Sequence, residues 1–156
     1  MDRCDREYMG EALKEAQAAA QQGEVPVGAV LVVENAIVAR AHNLVESTRS
    51  ALAHAEMLCL KKGSEILGNW RLLNATLYCT LEPCPMCAGA MIHSRLKRLV
   101  WGAKDLRCGA HGGWVNLLDC NHPIHQVSVT SGVLEELCAE EMKSFFKRRR
   151  ASGSTI

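Results

Sequence analysis

Two short motifs constrain this chain more than any other feature: Ala53-His54-Ala55-Glu56 and, beyond an intervening strand-like run, Pro83-Cys84-Pro85-Met86-Cys87. A Cys-x-x-Cys pair at a helix start points both sulfurs the same way, so it chelates a metal readily. Pro85 suits the first helical position, where its missing N–H costs nothing, which puts Cys84 near the cap and Cys87 in the first turn. There the positive end of the helix dipole favours thiolates, the form that binds metal. His54 is expected near the start of another helix, capped by Ser50 or a neighbour. One histidine and two cysteines make three zinc ligands. Structural zinc usually takes four protein ligands, whereas catalytic zinc keeps one position for water and lowers the pKa of that water to about 7. Glu56, two residues beyond His54, is a carboxylate close to such a metal that need not bind it, and it can move protons. Taken singly, these residues have plainer readings: Cys84 and Cys87 as a structural knuckle or a redox pair, and His54 as a core or surface histidine. Their joint occurrence favours the catalytic one.

The rest of the chain predicts a single α/β domain over residues 1–150, with 151–156 as a disordered tail. Helical spacing of Met9, Leu13, Ala16 and Ala20 predicts a helix over 5–22, ended by Gly23. Val27–Val33 and Ile37–Ala41 are β-branched runs around Glu34-Asn35, the pattern of a hairpin. A helix is expected over 53–62, a strand over Thr76–Thr80, a helix over Cys84–Ser94 and a strand over Arg98–Gly102. Residues 103–125 read as a long loop, Gln126–Thr130 as a strand and Leu134–Arg150 as a closing helix. Strands interleaved with helices indicate a sheet covered on both faces. The 84–94 helix is apolar around most of its circumference. Met86, Met91 and Ile92 therefore suggest burial against a second subunit.

Composition narrows the setting. No apolar run approaches the roughly 18 residues of a membrane span, and no secretory signal begins the chain, so the expected location is the cytoplasm, or an organelle of bacterial ancestry. In that setting the eight cysteines read as thiols and metal ligands and not as a disulfide framework. Cys4, Cys59, Cys79 and Cys138 fit small buried hydrophobes. A net charge of +1 announces no nucleic-acid partner, but residues 143–150, Lys-Ser-Phe-Phe-Lys-Arg-Arg-Arg, carry five basic groups and no acid. Cys108, His111, Cys120, His122 and His125 crowd the long loop. Their spacing fits no familiar zinc pattern, which favours loop residues over a second metal site.

A His-x-Glu with a Pro-Cys-x-x-Cys resembles the signature of zinc nucleobase deaminases. From about Glu24 to Arg150 the chain is similar to the bacterial tRNA-specific adenosine deaminases. The matching stretches are Glu24-Val-Pro-Val-Gly-Ala-Val, Ala53-His-Ala-Glu, Thr80-Leu-Glu-Pro-Cys-Pro-Met-Cys-Ala-Gly-Ala-Met-Ile-His-Ser-Arg, Gly102-Ala-Lys-Asp and Phe145-Phe-Lys-Arg-Arg-Arg. The resemblance implies a cytidine deaminase-like three-layer α/β/α sandwich with a mixed sheet of about five strands, and a homodimer. It implies one Zn2+ per subunit on His54, Cys84 and Cys87, with Glu56 as the proton shuttle. It further implies hydrolysis of adenosine to inosine at the wobble position of a tRNA anticodon loop. Asn43 and Ala55 match positions that meet the flipped base, and Asp105 one that meets the neighbouring ribose. Phe146, Arg149 and Arg150 match the tail along the anticodon loop. The plainer readings are a turn residue for Asn43, a solvated loop acid for Asp105, a core residue for Phe145 and a solvated helix end for the basic tail. Two other functions share parts of this pattern. A deaminase of a free nucleobase or nucleoside, such as cytidine or guanine, would have the metal site without a use for 143–150. A non-catalytic zinc-stabilised RNA-binding protein would need a fourth protein ligand and no Glu56.

Overall fold

The computed structural model describes residues 3–153 and builds one five-stranded mixed sheet between two helical layers. Helix α1 (Arg3–Gln21) leads into β1 (Gly28–Val33) and β2 (Ala36–His42). Between those strands Glu34 and Asn35 both take positive φ, 49° and 63°, as a two-residue turn matched to strand twist requires. A one-turn helix, α2 (Val45–Thr48), precedes α3 (Ala55–Leu67), β3 (Ala75–Leu81), α4 (Pro85–His93), β4 (Arg98–Ala103), β5 (Ser128–Thr130) and α5 (Glu135–Ala151). The strand order is β2-β1-β3-β4-β5. The β1 strand is antiparallel to β2 and β3, and β3-β4-β5 run parallel.

Strand alternation divides the core in two. Leu31, Leu77 and Leu99 pack with α3 and α4 residues such as Leu60 and Met91. Val30, Tyr78 and Val100 pack with Met9 and Leu13 of α1 and Cys138 of α5. The second layer closes tightly on the sheet: a Cβ at Gly28 would fall 2.1 Å from the Ala12 carbonyl oxygen, so only glycine lets β1 approach α1 there.

Several boundaries differ from the sequence reading. The third helix runs on to Leu67 and ends at Gly68 in the left-handed conformation, φ 62°. The last strand keeps only Ser128–Thr130. The final helix takes in Ala151, so the expected tail begins inside it, while residues 154–156 lie outside the described residues. Of the three α4 residues expected against a second subunit, Met91 and Ile92 are instead 0% and 7% exposed within a single chain, packed with the sheet and α3. The helix leaves Met86 only half-buried. Its remaining open side, Ala90, His93 and Ser94, forms a shallow groove with Leu60, Ser64 and the half-exposed Trp70. Among the described residues no helix is long and apolar enough to cross a membrane.

Candidate active site

The two motifs meet because α3 and α4 start close together at one end of the sheet, next to the C-terminal end of the central strand β3. His54 is the N-cap residue of α3 and Cys84 that of α4, both with extended backbone (φ −68°, ψ 148° and φ −74°, ψ 169°). Neither helix has a side-chain cap, and Ser50 instead accepts a hydrogen bond from the Leu52 N–H. Pro85 opens α4, and Cys87 follows in its first turn. The orphan N–H groups of two helix ends thus converge on one spot.

His54 Nδ1 stands 3.6 Å from Cys84 Sγ and 3.5 Å from Cys87 Sγ. All three ligand atoms lie within 4.8 Å of one another, and among the described residues they form the one such cluster of three or more His, Cys, Asp or Glu groups. Tetrahedral zinc with ordinary Zn–N and Zn–S bonds sets its nitrogen and sulfur ligands about 3.6 Å apart. Donor chemistry and spacing therefore fit a zinc ion with a fourth position left over. Cys84 is drawn down to about 4, first by its hydrogen bond with Cys87 and then by that with His54. Cys87, on the donating side of that pair, is pushed up. The hydrogen bond with Cys84 raises His54.

Glu56, 4% exposed, sits in the first turn of α3, and burial pushes its carboxyl above the ordinary range. It lines a cavity of about 320 Å³ together with His54, Ala55, Cys84, Asn43 and Asp105. That volume is at the small end of ligand pockets and suits one ring system, not a duplex. Asn43 combines both readings given to it. Its side chain donates to the Val25 carbonyl and accepts from the Val45 N–H, each at 3.3 Å, so it holds the turn into α2 while facing the cavity. The Asp105 carboxylate turns its own loop by accepting from the N–H groups of Arg107 and Cys108 at 3.0 and 3.1 Å.

The sequence reading overlooked two buried carboxylates on the cavity wall, Glu24 and Glu82, each 1% exposed. Glu24 accepts from the N–H groups of Glu46 and Ser47 at 3.1 and 2.7 Å and so caps α2. Glu82 accepts from three N–H groups of the 105–113 loop. Acids inside otherwise apolar stretches, Glu24-Val-Pro-Val and Leu81-Glu82-Pro83, were the available signal.

The tail residues divide. Phe145 is core, and Phe146 is half-buried, edge-on to it at 5.4 Å. Arg149 lies 5.5 Å over the Phe145 ring and donates to the Gly23 carbonyl at 2.9 Å, whereas Arg148 and Arg150 are exposed. Among the described residues the loop histidines and cysteines form no second cluster: His111 pairs with Asp119, His125 meets the Leu96 carbonyl oxygen and Cys120 the Asn116 carbonyl.

Fold and site together define a deaminase: residues 4–150 match the family model of the MafB19-like deaminases, and the chain belongs to that family. Within it, the chain is 52% identical over 146 residues to the tRNA-specific adenosine deaminase of Bacillus subtilis (strain 168), an alignment covering 94% of this chain and 91% of that one. A structure solved in work on A-to-I editing by tRNA:A34 deaminases at the wobble position of transfer RNA superposes with a TM-score of 0.83 at 40% identity. It covers 86% of this chain and 98% of that one. Guanine deaminase from Nitrosomonas europaea shares the fold, with a TM-score of 0.78 at 24% identity over 90% of this chain and 83% of that one.

Proposed function

We propose that this chain converts the wobble adenosine of a tRNA anticodon loop to inosine, using one zinc ion per subunit. The reading is carried by one arrangement: an imidazole, two thiols and a buried carboxylate opening on a cavity the size of one ring system, in a chain 52% identical to a named tRNA-specific adenosine deaminase. His54, Cys84 and Cys87 would hold the ion. Bound zinc supplies a Lewis acid that acidifies water and polarises the bond under attack.

The chain's own residues do the rest. Glu56 takes a proton from the attacking water as its oxygen bonds to C6 of the purine, and delivers it to the ring nitrogen beside that carbon. It then takes the proton of the new C6 hydroxyl and passes it to the departing amine as the C6–N bond breaks, so adenosine and water become inosine and ammonia. Asn43 and the Ala55 main chain hold the flipped base. Asp105 meets the neighbouring ribose, and Phe146 and Arg150 lie along the anticodon loop, where unpaired bases are read by stacking and phosphates by cations. Arg149 contributes by tying α5 to the Gly23 carbonyl. The subunits pair through the groove between α3 and α4 beside Trp70. A tRNA substrate places the enzyme in the cytoplasm or in an organelle of bacterial ancestry.

The deciding experiment offers the purified protein an anticodon stem-loop and, separately, free adenosine, cytidine and guanine. Inosine in the stem-loop, with the free compounds untouched, is the expected result. Turnover of a free compound with an unaltered stem-loop would transfer the assignment to the small-molecule deaminases.

A further inference from the structure

Glu82 is the residue after β3 and lies two positions before Cys84. Its carboxylate is almost wholly buried, yet its three hydrogen-bond partners are main-chain N–H groups of one loop. Oε2 accepts from Asp105 at 3.0 Å, and Oε1 from His111 at 2.8 Å and Gly113 at 2.9 Å. The adjoining backbone adds two ties: the Glu82 N–H donates to the Ala103 carbonyl and the Ala110 N–H to the Pro83 carbonyl, both at 2.8 Å. The loop also wraps the carboxylate too closely for side chains. A Cβ on Gly109 would fall 2.3 Å from Glu82 Cδ, and one on Gly113 1.9 Å from the Asp105 carbonyl oxygen and 2.8 Å from Glu82 Oε2. Burying a carboxylate is costly unless such donors surround it. An apolar residue would fill the same space, so the acid is explained by what it holds.

That loop carries Asp105 and Cys108, the outer wall of the cavity. We infer that Glu82 is a positioning residue for substrate selection: by fixing the Asp105 main chain from the corner that also carries Cys84, it sets where the loop meets the nucleotide beside the target base. The inference rests on the anticodon-loop reading above. The two oxygens make it separable from a general structural role. A glutamine at this position keeps one carbonyl oxygen. With that oxygen on the His111 and Gly113 N–H groups, its NH2 opposes the Asp105 N–H, donor against donor. Glu82→Gln therefore releases Asp105 while keeping the far end of the loop.

The test combines stem-loop kinetics, metal content and amide hydrogen exchange for Glu82→Gln, Asp105→Ala and the double variant. Glu82→Gln is expected to raise KM about tenfold, the scale of one charge-assisted hydrogen bond. It should keep kcat and one metal ion per chain, and speed exchange within 105–113. Because it acts through Asp105, the double variant should be no worse than Asp105→Ala alone. Gly113→Ala, whose Cβ would press on both the Asp105 carbonyl and Glu82 Oε2, should show the same KM signature. Multiplying penalties in the double variant, a fall in kcat at unchanged KM, or a normal KM in Gly113→Ala would overturn the inference. If the unsubstituted enzyme leaves the stem-loop unaltered, the substrate reading fails by itself. Exchange then decides for Glu82, and unchanged protection of 105–113 in Glu82→Gln overturns its positioning role.

Discussion

Glu56 and Cys87 are both buried, Cys87 as a member of the cluster and Glu56 in the wall of the cavity beside it, yet their removal should have opposite signatures. On the proposed mechanism Glu56 moves protons and leaves the ligand set complete without it. Glu56→Ala is expected to keep one zinc per chain by elemental analysis and to lose at least about a thousandfold in turnover, within the usual range for a general acid–base group. Cys87→Ala removes a ligand and should lose the metal together with activity. An active, metal-free Glu56→Ala protein would reverse the assignment. These residues were legible because metal chemistry demands particular side chains at particular spacings, and helix starts supply that spacing. Glu24 and Glu82 were not, because their partners are main-chain N–H groups of a helix start and a loop remote in sequence, and no residue type advertises a bare N–H. Ile92 was misread for a related reason: periodicity counts how much of a helix is apolar, not which neighbours cover it. At 7% exposure it belongs to the subunit's own core, so Ile92→Asp should lower the unfolding free energy of the subunit itself, measured in urea, by about 3 kcal/mol or more. Unchanged subunit stability, with association alone lost, would restore the interface reading.

Among the elements, the long amphipathic helices and β-branched strands could be read from their periods, whereas α2 and the shortened β5 could not. Four residues are too few to show a period, and α2 exists because the Glu24 carboxylate caps it. Long-range pairing is equally silent in sequence, and the clearest case ties α1 to the sheet. Asp5, 3% exposed, receives both Arg98 guanidinium nitrogens at 2.9 and 2.8 Å and the Tyr78 hydroxyl at 2.9 Å. Arg98 also reaches Thr130 of β5. The Arg98 hydrogen bond holds the Asp5 carboxyl below its usual value. A carboxylate with a depressed folded-state pKa stabilises above its unfolded value of about 3.9, and that contribution is lost as pH falls through the lower folded value. Asp5→Asn should therefore cost about 2 kcal/mol at pH 7, and the gap from the unsubstituted protein should narrow below about pH 4. Urea unfolding of both proteins at pH 7 and at low pH checks this, since every other carboxylate is common to the pair. A gap that held constant or widened in acid would show that Asp5 is not ionised against Arg98.

At the scale of the whole molecule, the fold supplies the chemistry and the surface must choose the polymer. The same fold occurs in a guanine deaminase, so the cavity alone does not explain selection of an anticodon loop. The basic end of α5 divides in two. Arg149 is half-buried on Phe145 and bonded to the Gly23 carbonyl, one residue before the Glu24 carboxylate that caps α2 at the cavity. Arg148 and Arg150 face solvent at the same helix end. Each neutralised phosphate contributes about 0.7 to the salt dependence of single-strand binding. If Arg148 and Arg150 each meet a phosphate, replacing both by alanine should weaken stem-loop binding and reduce the slope of log K against log salt by about 1.4, with thermal stability and zinc content unchanged. Arg149→Ala should do the reverse: it lowers thermal stability by breaking the tie to Gly23 and leaves the slope alone. Binding isotherms at several salt concentrations, set beside thermal melts, separate the two. An unaltered slope in the double variant would return the exposed arginines to a solvated helix end. A flattened slope in Arg149→Ala would mean that RNA draws this side chain off Gly23, so that binding itself loosens the wall capped by Glu24.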